Sequence, residues 1–142
     1  MKRSISENLA SVASLATAKD RVEALRRLGQ ESPAYEYVLK LALDPGAKWA
    51  LPEGDPPYKP CEVLDNEGVL FAELRRLYLF LDPSVPGSKP DLRQNRREQL
   101  FIELLETVST SDAKLLIAMK DKKLPWKELD KKTVQKAFPK IF

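Results

Sequence analysis

Apolar residues recur every three or four positions along most of the chain, and this spacing is typical of amphipathic α-helices. The pattern predicts seven helices, which begin near Ile5, Thr17, Ser32, Val69, Arg93, Ser111 and Asp130. No segment shows the strict alternation of a β-strand, and no internal repeat is apparent. The sequence therefore predicts an all-α fold, a single compact bundle of about six to seven helices over residues 1–142.

The ends of these helices are predicted from residues with known capping preferences. The residues expected to cap helix N-termini are Ser4, Thr17, Ser32, Ser111 and Asp130. Gly29 lies where a left-handed residue would end the second helix. The segment from Val69 to Leu81 is apolar on most of its circumference, so it is predicted to form a helix at the centre of the bundle.

Two long proline-rich loops are predicted, at about residues 44–64 and 82–92. Five of the eleven prolines lie between Pro45 and Pro60, which excludes regular structure there. This first loop also carries Trp49 and Tyr58. Its aromatic side chains can pack the loop onto the core or bind a ligand. Packing is the favoured interpretation, because aromatic residues bury large apolar areas and no other chemistry converges there.

The charge distribution is the main functional signal. The net charge of +3 comes from the part of the chain after residue 62, where basic residues concentrate in Arg75–Arg97 and in Lys114–Lys136. The second stretch carries eight lysines against three acids. The predicted nucleic-acid-binding residues are Arg75, Arg76, Arg93, Arg96, Arg97, Lys114, Lys122, Lys123, Lys131, Lys132 and Lys136. An ordinary lysine-rich surface that keeps the protein soluble is an equal alternative.

Few catalytic chemistries fit this composition. The chain has no histidine and one cysteine, Cys61, so the common general base, zinc sites and internal disulfides are excluded. No glycine-rich phosphate loop is present. Asp91 and Asp121, followed by Lys123, mimic the Asp…Asp-x-Lys pattern of metal-dependent nucleases. Those carboxylates belong on strands rather than at helix edges, so we predict no enzyme activity, no metal and no cofactor.

The sequence carries no sign of export or of membrane insertion. No apolar segment follows the basic N-terminus, and no apolar run is long enough to span a bilayer. The single cysteine fits a reducing compartment. We therefore expect a cytoplasmic protein that does not contact membranes.

Four runs of residues resemble an uncharacterised family of small proteins encoded by T-even-type tailed phages and their cyanophage relatives. These runs are ALPEGDPPYKP at 50–60, RRLYLF at 75–80, REQLFI at 97–102 and MKDKKL at 119–124. The resemblance covers nearly the whole chain. It implies a phage origin and the cytoplasm of an infected bacterial host, without implying an activity.

The order of features also resembles the all-helical N-terminal DNA-binding domain of ATP-dependent DNA ligases. The corresponding segments are Leu39–Pro45, Arg93–Leu105 and Leu115–Pro139. The chain departs from that pattern at Gln94–Asn95 and at 121–125, where the glycines of the ligase domain are missing, and it lacks the Lys-x-Asp-Gly adenylation motif. The resemblance therefore implies DNA binding without ligase chemistry.

Two functional hypotheses follow. The first is a non-enzymatic phage accessory protein that holds the phosphate backbone of DNA with little sequence specificity. The alternative is a protein-interaction factor that binds a host or phage protein of replication or transcription. Its predicted contact residues are Trp49, Tyr58, Phe138 and Phe142, in the proline-rich loop and the aromatic C-terminus.

Overall fold

The computed structural model describes residues 4–61 and 68–142, and these residues fold into a compact bundle of seven α-helices and one 3₁₀ helix. The helices are α1 (Ile5–Ala13), α2 (Ala18–Glu31), α3 (Ala34–Leu43), α4 (Val69–Glu73), α5 (Gln94–Thr107), α6 (Thr110–Asp121) and α7 (Lys131–Ala137), and the 3₁₀ helix (Leu74–Phe80) continues α4. The only strand-like pairing in these two ranges is an isolated antiparallel bridge between Trp49 and Leu81. The all-α prediction is confirmed.

Helix α6 lies at the centre of the bundle and packs against α1, α3 and α5. Its apolar residues surround most of its circumference, so Leu115, Leu116 and Met119 are all buried. Helix α2 packs against α1, α3 and α7 on the outside of this core. Within the described ranges, no helix has the length and apolar character required to cross a membrane.

The helix predicted from Val69 to Leu81 is confirmed from Val69 to Phe80, and it changes from an α-helix to a 3₁₀ helix at Leu74. Leu74, Leu77 and Phe80 are buried, and their spacing of three residues matches the three residues per turn of a 3₁₀ helix. Leu81 is already extended, and the Phe80 carbonyl accepts a hydrogen bond of 2.8 Å from the Ala50 amide. The pairing with the first proline-rich loop thus ends the helix.

Three of the predicted N-caps are confirmed. The side chains of Ser4, Thr17 and Asp130 each accept a hydrogen bond from the backbone amide three residues later. Ser32 acts just before α3, where its Oγ accepts from the Ala34 amide at 3.1 Å.

Two predicted helix ends are wrong. Helix α6 begins at Thr110, with Ser109 rather than Ser111 as its N-cap, and the Ser111 hydroxyl lies 3.1 Å from the Ser4 hydroxyl. Gly29 does not end α2 but lies inside it. A Cβ at this position would lie 2.5 Å from Cε1 of Phe138, so Gly29 allows the ring of Phe138 to approach α2 closely.

Candidate functional site

The C-terminal end of α6 fixes the first proline-rich loop. The Lys120 Nζ atom donates to the carbonyls of Pro52 at 2.9 Å and Gly54 at 2.7 Å, and to Oδ1 of Asp121 at 2.6 Å. The Lys120 side chain is only 2% exposed. The Asp121 carboxylate also accepts from the Gly54 amide at 3.3 Å. This buried pair therefore connects α6 to the loop backbone.

The two carboxylates of the nuclease-like pattern, Asp91 and Asp121, lie in different surroundings. Asp121 is engaged with the loop, whereas Asp91 is 79% exposed and lies 3.6 Å from the Lys89 ammonium. In the part of the chain that the structure describes, no cluster of three or more Asp, Glu, Cys or His side chains is placed to hold a metal ion.

Lys122 has a structural role that the sequence did not indicate. It adopts the left-handed conformation at the end of α6, with φ 57° and ψ 36°. Its Nζ atom donates to the carbonyl of Leu41 in the last turn of α3 at 2.6 Å, and to those of Asp44 at 3.0 Å and Ala47 at 2.7 Å just after this helix. Burial lowers the pKa of Lys122 to about 8, an effect that the Asp44 carboxylate opposes. Lys122 therefore leaves the predicted nucleic-acid-binding set, because its ammonium holds α3 and the loop together.

Lys123 is also committed to the loop, through a 2.6 Å ion pair with Glu53. Both partners of this pair are largely exposed. The hydrogen bond and the charge of Glu53 raise the pKa of Lys123. The lysines at the end of α6 (Lys120, Lys122 and Lys123) thus all form contacts with the first proline-rich loop or its start.

Arg97 is the second predicted DNA contact that the structure places elsewhere. The residue is 3% exposed. Its guanidinium donates to the carbonyls of Leu79 at 2.9 Å, Lys89 at 3.2 Å and Leu92 at 3.2 Å, and to Oε1 of Gln94 at 2.6 Å. Since it connects the 3₁₀ helix, the second loop and α5, it is not free to bind phosphate.

The aromatic residues proposed as partner contacts all make internal contacts. Trp49 Nε1 donates to the Leu41 carbonyl at 3.0 Å, and its ring meets the edge of Phe101 with centroids 6.4 Å apart. The packing interpretation is therefore confirmed for Trp49. Tyr58 is half-buried against the core, and burial, with a smaller effect of the Asp55 carboxylate, raises its pKa.

The two C-terminal phenylalanines are also engaged. Phe138 is partly buried and lies against Gly29 of α2. The Phe142 ring lies 5.1 Å from the Lys131 ammonium, within cation–π distance.

The remaining predicted cations are exposed. Arg76 forms an ion pair of 3.2 Å with Glu73. Of the predicted nucleic-acid-binding residues, those that are exposed and have no ion-pair partner among residues 4–61 and 68–142 are Arg75, Arg93, Arg96, Lys114, Lys131, Lys132 and Lys136. The 3₁₀ helix, which carries Arg75 and Arg76, packs beside α5. Arg93 and Arg96 lie at the N-terminal end of α5.

The lysines of α7 lie on a helix that contacts Arg26 of α2, a basic residue that the charge pattern of the sequence did not single out. Helices α2 and α7 pack together, and Nη2 of Arg26 donates to the Lys136 carbonyl at 3.0 Å. We call Arg26, Lys131, Lys132 and Lys136 the α2–α7 basic face. No local signal marks Arg26, because residues 1–62 contain equal numbers of basic and acidic residues. Asp130 adds one carboxylate, whose pKa is lowered by the hydrogen bonds from Thr133 and by the charges of Lys132 and Arg21.

Comparison with known proteins places the chain in a family. No curated protein and no solved structure gives a significant match. A model described as a family of unknown function (DUF6433) matches residues 8–126. The matched residues include the first proline-rich loop and its anchors on α6, and they stop before α7. Because the match spans more than half of the chain, the protein belongs to this family of unknown function.

Proposed function

We propose that this protein is a non-enzymatic DNA-binding module that holds the phosphate backbone with little sequence specificity. The observation that carries the proposal is the α2–α7 basic face, four exposed cations without an ion-pair partner among the described residues. Arg97, Lys120, Lys122 and Lys123 are held by the protein itself, so the charge available for an external anion concentrates elsewhere.

The chemistry of this face favours phosphate over bases. A lysine ammonium is a compact point charge on a flexible stem, whereas reading base edges requires fixed, often bidentate donors. Three of the four cations are lysines, and they lie on a helix of seven residues. Neutralising phosphates with such cations releases counterions from DNA, which gives binding that depends on salt and tolerates changes of sequence.

A phage origin, and with it the cytoplasm of an infected bacterium, is part of the same proposal. The support is the resemblance of the four runs in the first proline-rich loop, the 3₁₀ helix, α5 and α6. The ligase-like order of features supports DNA rather than another polyanion as the partner. The protein-interaction alternative is less favoured in its original form, because Trp49, Tyr58, Phe138 and Phe142 all have internal contacts.

The test is fluorescence anisotropy of labelled duplex, nicked and single-stranded DNA at several salt concentrations. The variant replaces Lys131, Lys132 and Lys136 with glutamine. The matched control variant replaces three other exposed lysines, Lys48, Lys59 and Lys89, with glutamine, so that both variants have the same net charge. If the three α7 lysines contact phosphates of duplex DNA, the negative slope of log K against log salt becomes less steep by about 2.7 in the variant, at about 0.9 for each lost contact.

The control decides between a binding surface and a general effect of net charge. We expect it to keep the wild-type slope. Equal losses in the two triple variants would contradict a specific basic face, and absence of wild-type binding at low salt would overturn the DNA proposal.

A further inference from the structure

The first proline-rich loop and helices α5 and α6 enclose a pocket of about 180 Å³, which we call the loop pocket. Residues 51–57 form one wall, and Phe101 and Ile102 of α5 form an apolar floor. Glu98 and Lys120 complete the lining. Pockets for drug-sized molecules measure about 300–1,000 Å³, so this volume fits a single side chain rather than a cofactor.

Three sets of contacts hold the loop that forms the wall of the pocket. Lys120 binds the carbonyls of Pro52 and Gly54, and Lys123 pairs with Glu53. At the start of α5, Nε2 of Gln94 donates to the Ala50 carbonyl at 2.7 Å. Since the loop is already fixed, a ligand that enters the pocket does not have to order it.

The charges around this apolar floor favour a cation. All three N–H groups of Lys120 have acceptors, and one of these is Asp121, so its charge is already neutralised. Glu53 is neutralised by Lys123. Among the described residues, the carboxylates of Asp55 and Glu98 form no ion pair. Oε2 of Glu98 accepts a hydrogen bond of 3.1 Å from Nε2 of Gln94, which leaves its negative charge in place. A ligand that combines an apolar stem with a positive head complements both features.

We propose that the loop pocket binds an arginine side chain that a partner protein presents. The aliphatic stem of the arginine packs on Phe101 and Ile102, and its planar guanidinium reaches the carboxylates of Glu98 and Asp55. Arginine fits better than lysine, because a guanidinium is less strongly hydrated and can lie flat against proline and aromatic surfaces. The partner binds a locally acidic site, so this inference stands independently of DNA binding.

The probe for this proposal is N-acetyl-arginine amide, titrated into ¹⁵N-labelled protein and followed by NMR. The neutral isostere N-acetyl-citrulline amide has the same shape without the charge. We expect saturable shifts at the amides of the pocket residues with a millimolar dissociation constant, and binding about fivefold weaker for citrulline.

Two variants locate the charge that is responsible. Glu98→Gln is expected to weaken arginine binding about fivefold. Glu103→Gln, an exposed carboxylate on the same helix but outside the pocket lining, is expected to have no effect. Equal binding of citrulline, equal effects of the two variants, or no saturable shift at the pocket would overturn the proposal. Tighter binding of free L-arginine than of the blocked form would exclude a side chain of a partner as the occupant.

Discussion

The role assigned to Arg97 leads to a prediction that separates a structural arginine from a DNA-binding one. Arg97→Met keeps most of the apolar stem but removes every hydrogen-bond donor of the guanidinium. The backbone carbonyls of Leu79 and Leu92 then lose their donor, whereas the Lys89 carbonyl still accepts from the Leu92 amide at 3.3 Å. An unsatisfied buried acceptor costs about 1–3 kcal/mol. Lys89 is exposed and Leu92 is partly exposed, so water can reach this region and the lower value applies.

We therefore expect Arg97→Met to lower the free energy of unfolding by about 2 kcal/mol, which is about 1 kcal/mol for each of the two carbonyls left without a donor. For a chain of this length, that corresponds to a fall in Tm of about 7 °C. Arg97→Lys keeps the charge but not the planar fork that spans separate acceptors, so we expect it to lose most of the same stability.

The neighbouring residue supplies the control. Arg96 is exposed and belongs to the same turn of α5, so Arg96→Met should change the free energy of unfolding by less than about 0.5 kcal/mol. The assays are urea denaturation followed by circular dichroism, and DNA anisotropy under conditions where all variants are folded. A loss below about 1 kcal/mol for Arg97→Met, or a loss of DNA affinity in a stable Arg97→Lys protein, would refute the structural assignment.

Three further predictions concern α2, Lys122 and α7. Gly29→Ala should lower the free energy of unfolding by about 1 kcal/mol despite the better helix propensity of alanine, because the added Cβ meets the ring of Phe138. In a Phe138→Leu background, the same change should stabilise the protein. Thermal denaturation of the wild type, the two single variants and the double variant would check both expectations. The lowered pKa of Lys122, about 8 against 10.5 in the unfolded chain, means that the unfolded chain binds more protons between these values. The free energy of unfolding of the wild type, measured relative to that of Lys122→Met, should therefore rise with pH across this window. Urea titrations at pH 7.5 and 9.5 check this. A difference in unfolding free energy between the two proteins that is the same at both pH values would contradict a lowered pKa of Lys122. Asp130→Ala should cost about 1 kcal/mol, because it removes the side-chain acceptor at the start of α7, whereas Asp130→Asn should keep most of that stability in chemical denaturation.

The local features of this protein follow from its amino-acid sequence. The spacing of apolar residues predicted the all-α fold, since one buried face of a helix requires a period near 3.6. The caps at Ser4, Thr17 and Asp130 were predicted correctly, because the donor and the acceptor of each cap lie three residues apart. The packing of Trp49 onto the core also followed from its residue type, which favours burial.

Which charges are available for binding depends instead on the packing of the helices and loops. Lys122, Lys123 and Arg97 look like any other basic residues in the sequence, but their partners are carbonyls or carboxylates that the fold brings together from distant or irregular segments. Arg26 joined the α7 lysines for the same reason, through a contact across 110 positions of the chain. The need for glycine at position 29 likewise comes from the Phe138 ring on another helix. Local periodicity encodes which residues face the core, whereas the pairing of polar groups depends on the three-dimensional packing of the helices.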